Sequence, residues 1–164
     1  VGIILSAVFF FSLTLTGRRK AEINCLDELC RGMELIRAEL GTRLTPMPEL
    51  LRILSDRCRG EAGAFFSALC KAMPLLEENE FSKLWNIAAD TYLKPLHPEE
   101  LNTVKKVGAV LGRYELSEQL AVTDACRREL AFAAEKLRAS YPESRRLFFG
   151  ISAAAGGFLI ILLL

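Results

Sequence analysis

Charged side chains are missing from both ends of this sequence. Every lysine, arginine, aspartate and glutamate lies between Arg18 and Arg146, so the first 17 and the last 18 of the 164 residues carry no charge. Water solvates apolar segments of this length poorly, so each must be covered by a protein core, a membrane or a partner. We therefore divide the chain into an apolar start, residues 1–17, a charged middle, residues 18–146, and an apolar end, residues 147–164.

The sequence is also poor in side chains that carry out chemistry. His97 is the only histidine, and the surrounding stretch "KPLHPEE" indicates a loop or a helix cap. No phosphate-binding loop, dinucleotide-binding glycine motif or nucleophile elbow is present. The acidic pairs fall at predicted helix ends, where attraction to the helix dipole explains them. We therefore predict no catalytic residue, no metal ion and no cofactor, and hence a protein that is not an enzyme.

Cysteine pairs with metal-binding spacing are absent. The chain has five cysteines, an odd number, with no CxxC pair and no Cys/His cluster of the kind that zinc requires. Four of the five lie among apolar residues at helical spacing, which predicts small core side chains in a reducing compartment rather than a disulfide framework. The five are Cys25, Cys30, Cys58, Cys70 and Cys126.

The charged middle has no excess of either sign. The formal net charge of the chain is +1, whereas phosphate backbones are bound by clustered basic faces. We therefore exclude nucleic acid as a partner.

The middle of the chain also lacks the alternating pattern of β-strands. Apolar residues recur instead at intervals of three and four, which is the spacing of one helix face. Short connections separate these stripes, so the middle is predicted to be a compact all-α bundle of about six helices, flanked by N- and C-terminal transmembrane helices. The stripes cover residues 26–40, 50–58, 65–73, 81–92, 101–111 and 116–141.

Local signals predict three helix boundaries. Gly41 is expected to end the first helix of the middle. Thr45 is expected to cap the next helix, with Pro46 in its first turn, where the missing N–H costs nothing. A capping box that begins at Ser140 encloses Pro142, which predicts that the final helix starts afresh or kinks there.

The two apolar ends have nearly the length of membrane-spanning helices. Residues 1–16 would span ~24 Å as a helix and residues 147–164 ~27 Å, against ~30 Å for the hydrocarbon layer. A cleaved signal peptide is the alternative for the first segment, but its basic residues follow the apolar run, whereas a signal peptide begins with them. A buried core helix is the alternative for the second, but a bundle of about 130 residues is too small to surround it.

Basic residues flank both apolar segments on their inner sides. Residues 18–20 follow the first segment, and Arg145 and Arg146 precede the second. Because basic residues favour the cytoplasmic side of a membrane, the middle is predicted to be cytoplasmic and both termini to lie across the bilayer. The prediction is a two-span protein with membrane lipid around both spans.

One face of the second predicted span carries small residues at intervals of three and four. Small residues allow membrane helices to approach closely, which predicts packing against the first span or against another subunit, as in a homo-oligomer. The alternative is the ordinary enrichment of glycine in membrane helices. The small residues are Gly150, Ala153, Ala154 and Gly157.

Several features occur in an order that resembles one family. An apolar start with a basic stop precedes "IRAELGTRLTPMPELL", Trp85, "VKKVGAVLGRYELSEQ" and the final "RRLFFGISAAAGGFLIILLL". Together they resemble the stage III sporulation protein AB family of endospore-forming bacteria over essentially the whole chain. The chain departs from the family pattern at Met47 and Pro48 and at residues 114–116. The sharpest matches are Glu39, Thr45, Pro46, Gly108, Leu111, Gly112 and Gln119.

The resemblance implies a place in the channel-like complex that joins mother cell to forespore, within the mother-cell membrane that surrounds the forespore. The soluble domain of the family is similar to the cytoplasmic helical domains of type II secretion and type IV pilus platform proteins. By that similarity the protein would be a non-enzymatic scaffold that couples a cytoplasmic ATPase, sporulation protein AA, to ring-forming membrane components.

The corner between the first two helices of the middle is the predicted contact surface for the ATPase. A capped corner stiffened by proline is expected to be rigid and exposed. An equally weighted alternative is that these residues only terminate helices. The predicted contact residues are Glu39, Arg43, Thr45 and Pro46.

Two other functions fit a two-span helical protein less well. The platform of a true pilus or type II secretion system is disfavoured, because such proteins usually have more spans and often a duplicated domain. A small regulatory or enzymatic membrane protein is disfavoured, because serine and threonine are the only polar side chains in both predicted spans.

Overall fold

The structure is a computed structural model that describes the secondary structure of residues 2–75 and 81–163 and the side chains of residues 17–74 and 81–140. Within these ranges the protein is an all-α bundle of six α-helices without a β-strand, which confirms the predicted all-α class and the number of helices in the bundle. The helices are α1 (Gly2–Ala38), α2 (Met47–Arg57), α3 (Gly60–Ala72), α4 (Phe81–Tyr92), α5 (Pro98–Val110) and α6 (Leu116–Leu163).

Prolines mark two helix boundaries of the bundle. α5 begins at Pro98, whose missing N–H is not needed in a first turn. α3 ends at Ala72, and Pro74 lies in the short 3-10 turn that follows. These boundaries agree with the apolar stripes, because each stripe stops where the backbone can no longer continue an α-helix.

The first and last helices are longer than predicted. α1 has 37 residues and α6 has 48, because each continues from the bundle into an apolar end of the chain. The predicted fresh start near Pro142 is therefore wrong. The Ser140 hydroxyl donates to the carbonyl of Leu137 at 2.9 Å and does not mark a helix start. The other alternative, a kink at Pro142, stays a prediction.

The two predicted membrane spans, residues 1–17 and 147–164, lie outside the described side chains except for Gly17. Among the side chains that are described, no helix has a stretch long and apolar enough to cross a membrane. The small residues of the second span also lie outside the described side chains, and they are Gly150, Ala153, Ala154 and Gly157.

α1 and α6 form an antiparallel pair along the bundle. Arg37 of α1 lies 3.2 Å from Asp124 of α6, and Asp27 of α1 pairs with Arg138 of α6, so the two helices run in opposite directions. Exposed ion pairs contribute roughly 0–1 kcal/mol each, so these pairs define the register while the buried apolar core supplies most of the stability.

This register gives the bundle two ends. At the proximal end, Arg18 of α1 and Ser140 of α6 line the same cleft, close to the apolar ends of the chain. At the distal end, α1 passes into the turn that leads to α2, and the loop after α5 leads into α6 at Leu116. The proximal and distal ends therefore present different parts of the sequence.

Trp85 of α4 lies at the centre of the buried core. Its ring packs edge-on against Phe65 of α3, with ring centroids 4.9 Å apart, and its indole N–H donates to the carbonyl of Val104 in α5 at 3.0 Å. Gly108 lies one turn further along α5, where an added Cβ atom would be 2.1 Å from Cγ of Trp85. The bare backbone at position 108 therefore allows α4 and α5 to approach closely enough to bury the indole.

Gly108→Ala is expected to lower the free energy of unfolding by about 1–3 kcal/mol, because the new methyl group overlaps a fully buried indole. Gly17→Ala is the matched control, since a Cβ atom at that helical position would meet no atom within 4 Å. The control is expected to be neutral or slightly stabilising, because alanine favours a helix over glycine. Chemical denaturation followed by circular dichroism measures both effects, and equal stability of the two variants would contradict the dependence of Trp85 on this glycine.

Candidate functional site

The predicted contact surface between α1 and α2 is a turn closed around one carboxylate. A single π-helical turn, Glu39–Arg43, follows α1, and Leu44 adopts a left-handed conformation with φ 51°. The Glu39 side chain is only 12% exposed, and its Oε1 lies 3.2 Å from Nη1 of Arg43. Its Oε2 accepts the hydroxyl of Thr45 at 2.8 Å, and its carbonyl oxygen accepts the N–H groups of Leu44 and Thr45.

The structure thus brings three of the predicted contact residues, Glu39, Arg43 and Thr45, into one hydrogen-bonded group. Pro46 follows directly and occupies the position before the first residue of α2. We call residues 39–46 the corner. Because its polar groups bond to one another, local interactions stabilise the conformation of the corner.

Gly41 does not end the first helix, so that boundary prediction is wrong. The helical path continues through the π-helical turn, and the left-handed conformation expected of a terminal glycine is adopted by Leu44. Gly41 instead faces Leu120 of α6, whose δ carbons would lie 3.8 Å from an added Cβ atom. Packing against α6 therefore accounts for this glycine better than helix termination does.

Thr45 does not cap α2, because its hydroxyl is bonded to Glu39 and the start of α2 has no side-chain cap. Pro46 takes the cap position in place of the first turn, and Pro48 lies in the first turn instead. The prediction therefore placed the start of α2 one residue too early in the sequence. Thr45 lies one residue before the N-cap, and its hydroxyl donates to the Glu39 carboxylate.

The loop between α5 and α6, residues 111–115, lies beside the corner and is held by one glutamine. Oε1 of Gln119 accepts the N–H of Gly112 at 3.1 Å, and Nε2 of Gln119 donates to the carbonyl of Tyr114 at 2.6 Å. Gly112 has φ 74°, a left-handed conformation that favours glycine. Cε of Met47 at the start of α2 would lie 3.5 Å from a Cβ atom added to this glycine, so the loop and the start of α2 are neighbours.

Exposed apolar side chains surround these two turns at the distal end. Leu44 is 68% exposed, Tyr114 53% and Leu116 36%. The Arg43 side chain is 73% exposed. We call these four residues the distal surface. Tyrosine and arginine are enriched at protein contact sites, and the exposed leucines beside them offer apolar area that a partner could bury.

A second polar group lies at the proximal end, and no local sequence pattern indicates it. Glu22 of α1 is buried, and its Oε1 lies 3.3 Å from Nε2 of His97, the residue that precedes α5. Oε1 of Glu22 and Oε2 of Glu100 are both buried without a hydrogen-bond partner among the described residues. Burial raises the pKa of Glu22, the nearby His97 lowers it, and Glu100 raises it. These residues meet only because the α4–α5 loop packs beside α1.

The cysteines are free, and most are buried. Burial raises the pKa of Cys25 and Cys126 to about 12 and the pKa of Cys30 and Cys58 to about 11. Because the thiolate is the reactive and metal-binding form, these thiols are inert near neutral pH. Cys70 is partly buried and packs against the core, in agreement with the predicted role as a core side chain. Over the part of the chain with described side chains, no three His, Cys, Asp or Glu residues are grouped so that they could hold a metal ion.

Comparisons with known proteins give one family and one solved structure. A family model described as "Stage III sporulation protein AB (spore_III_AB)" matches residues 1–164. A solved structure titled "Stage III sporulation protein AB (SpoIIIAB)" superimposes with a TM-score of 0.67 at 14% sequence identity, over 75% of this chain and 98% of that chain. At this identity the solved structure supports the fold. No curated protein matches the sequence.

Glu39→Ala is expected to loosen the corner, because the hydroxyl of Thr45 loses its acceptor, and to lower the free energy of unfolding by about 1–2 kcal/mol. The amide protons of Leu44 and Thr45 are expected to exchange with deuterium faster than in the parent chain. Glu49→Ala is the matched control, since the exposed carboxylate of Glu49 belongs to α2. Unchanged exchange at both amides in Glu39→Ala would show that the carboxylate does not hold the corner.

The buried Glu22 carboxyl predicts a pH dependence of stability. Folding raises the pKa of this group above its ordinary value of 4.5, so the folded chain keeps a proton that the unfolded chain releases. The contribution of Glu22 to stability is therefore present at low pH and is lost as the pH rises from 4.5 through the folded pKa. Glu22→Gln cannot ionise and is expected to lose less stability over this range, as measured by denaturation at a series of pH values. Glu49→Gln is the control at an exposed carboxylate and is expected to follow the parent chain. If stability falls with pH equally in Glu22→Gln and in the parent chain, Glu22 does not cause the pH dependence.

Proposed function

Because the chain belongs to the stage III sporulation protein AB family, we propose that this sporulation protein is a non-enzymatic platform subunit of the channel-like complex between mother cell and forespore. The observation that carries the proposal is the distal surface, where a turn closed around Glu39 holds the exposed Leu44 and Arg43 in place. A rigid, exposed surface of this kind is suited to binding a partner protein.

In this proposal both apolar ends of the chain are transmembrane helices of the mother-cell membrane that surrounds the forespore, and the bundle is cytoplasmic. The basic residues on the inner side of each apolar segment support this orientation. The register of α1 and α6 supports it as well, since Arg18 and Ser140 line one cleft and the chain reaches both apolar ends from the same side of the bundle. A two-span protein with one cytoplasmic domain requires that arrangement.

The proposed partner of the distal surface is the cytoplasmic ATPase of the complex, sporulation protein AA. The distal surface lies at the end of the bundle opposite the proposed membrane, where a soluble partner has access to it. Leu44 and Tyr114 would be covered in the contact, and Arg43 would pair with an acidic residue of the partner. α1 and α6 run from this end to the proximal end, so they would fix the position of the corner relative to the membrane.

The proposed contacts within the membrane involve the second span. Its small residues would allow close packing against the ring-forming components of the complex, the first span or a second copy of this chain. These residues are Gly150, Ala153, Ala154 and Gly157.

Arg43→Glu is expected to weaken binding of the purified ATPase to the full chain by about tenfold or more, because reversing an interfacial charge replaces attraction by repulsion. Leu44→Ser is expected to weaken binding as well without loss of stability, since Leu44 is 68% exposed in the free chain. Arg52→Glu is the matched control, because Arg52 is an exposed arginine of α2 outside the corner. Two measurements test the effect. They are the affinity of the detergent-solubilised chain for the purified ATPase and the sporulation efficiency with each variant.

Full ATPase binding by both Arg43→Glu and Leu44→Ser would contradict the distal surface as the contact site. An equal loss in Arg52→Glu would also count against it, since net charge and not this surface would then control binding.

A further inference from the structure

A cleft of ≈ 620 Å³ lies at the proximal end between α1, the α4–α5 loop and α6. Four basic residues line it, and they come from two separate parts of the sequence. Arg18 and Arg19 belong to the start of the described part of α1, whereas Lys94 and His97 belong to the α4–α5 loop. All four residues are exposed to solvent. The fold therefore concentrates positive charge that is dispersed along the chain.

Two of the basic residues are available to a ligand. Arg18 and Lys94 make no ion pair or hydrogen bond with any described residue. The rest of the cleft is mainly apolar, with Pro95, Leu96 and Leu137 among its lining residues. The lining of the cleft thus combines exposed basic residues with apolar ones.

Glu22 is the acidic residue of the cleft lining. Its carboxyl is buried, and Oε1 lies 3.3 Å from Nε2 of His97. The carboxyl is thus paired with His97, whereas Arg18 and Lys94 are exposed. An anion that enters the cleft from solvent would therefore meet those two basic side chains.

Guanidinium and ammonium groups that converge on a cleft are the usual ligands of phosphate groups in proteins. Phosphate could reach this cleft as a free anion or as part of a lipid headgroup. The cleft begins at Arg18, directly after the charge-free residues 1–17. A headgroup at the membrane surface would therefore lie within reach of the cleft, while its acyl chains remain beside the span.

We propose that the proximal cleft binds the phosphate of an acidic phospholipid headgroup through Arg18 and Lys94. The choice of a lipid as the source of the phosphate rests on the membrane orientation in the proposed function. The proposal is independent of the ATPase contact, which involves the opposite end of the bundle. Binding at this cleft fixes the α4–α5 loop, and not only the flanks of the spans, against the membrane surface.

Lipid retention by the full chain tests the proposal. The detergent-solubilised chain is incubated with phosphatidylglycerol or with phosphatidylcholine, and bound lipid is counted by native mass spectrometry. Preferential retention of phosphatidylglycerol is expected. Each basic side chain near an anionic lipid surface contributes about fivefold in binding, so the double variant Arg18→Gln/Lys94→Gln is expected to bind phosphatidylglycerol about 25-fold more weakly.

A matched control separates the cleft from general surface charge. Arg52→Gln/Arg57→Gln removes the same charge from exposed positions on α2, outside the cleft. This control is expected to retain phosphatidylglycerol as the parent chain does. Equal losses in the two double variants would overturn the proposal, because net charge would then account for the binding. Equal retention of the two lipids by the parent chain would overturn it as well.

A competition experiment distinguishes a lipid headgroup from free phosphate as the ligand. Excess inorganic phosphate is added to the chain with phosphatidylglycerol bound, and little displacement is expected because the acyl chains add affinity that the free anion lacks. Ready displacement would assign the cleft to a soluble phosphate and overturn the lipid proposal.

ATPase binding by Arg18→Gln/Lys94→Gln separates this proposal from the platform function. The variant is expected to bind the ATPase normally, since its substitutions lie at the proximal end. Loss of lipid preference with normal ATPase binding supports two separate sites. If the parent chain retains neither lipid, the lipid proposal fails, while the ATPase contact is still decided by its own experiment.

Discussion

The burial of Trp85 against the backbone of Gly108 is the contact on which the position of α4 and α5 depends. The indole donates to the carbonyl of Val104 and packs edge-on against Phe65, so it joins three helices at once. Its fit requires a residue without a side chain at position 108. The position of the loop between α4 and α5 follows from this contact. Its leucines are buried in the core, and its polar residues line one cleft with Arg18 and Glu22 of α1. A core contact in the middle of the bundle therefore determines the geometry of the proximal cleft.

The antiparallel pair of α1 and α6 separates the two ends of the molecule. From Arg18 to Ala38, α1 is roughly 30 Å long, which is the distance between the proximal cleft and the corner. One end carries basic residues next to the apolar segments, and the other carries exposed apolar residues on two turns closed by Glu39 and Gln119. The proposed function requires these two kinds of surface at opposite ends of the bundle, one for the membrane and one for a soluble partner. α1 and α6 connect the two ends.

Much of the fold could be predicted from the sequence, because the helix period acts over short distances. The stripe of α4 over residues 81–92 and the start of α5 at Pro98 match the structure. Predictions that relied on single residues were less successful. Gly41 and Thr45 are residue types typical of helix ends. In the structure, however, Gly41 packs against Leu120, and the Thr45 hydroxyl donates to the Glu39 carboxylate. A local signal is overridden wherever a neighbouring group offers a better packing or hydrogen-bonding partner.

The sequence by itself determined the all-α class, most of the buried helix positions, the role of the cysteines as free core side chains, the region of the turn between α1 and α2, and the family. These properties depend on hydrophobic period, composition and motif order, all of which are present in the chain before it folds. Only the tertiary structure decided that Glu22 meets His97, that Lys94 and Arg18 line one cleft and that Met47 packs beside Gly112. Those pairs are far apart in the sequence, and their meeting depends on the register in which whole helices pack. That register is set by the fit of buried side chains such as Trp85 across several helices at once, which no local pattern contains.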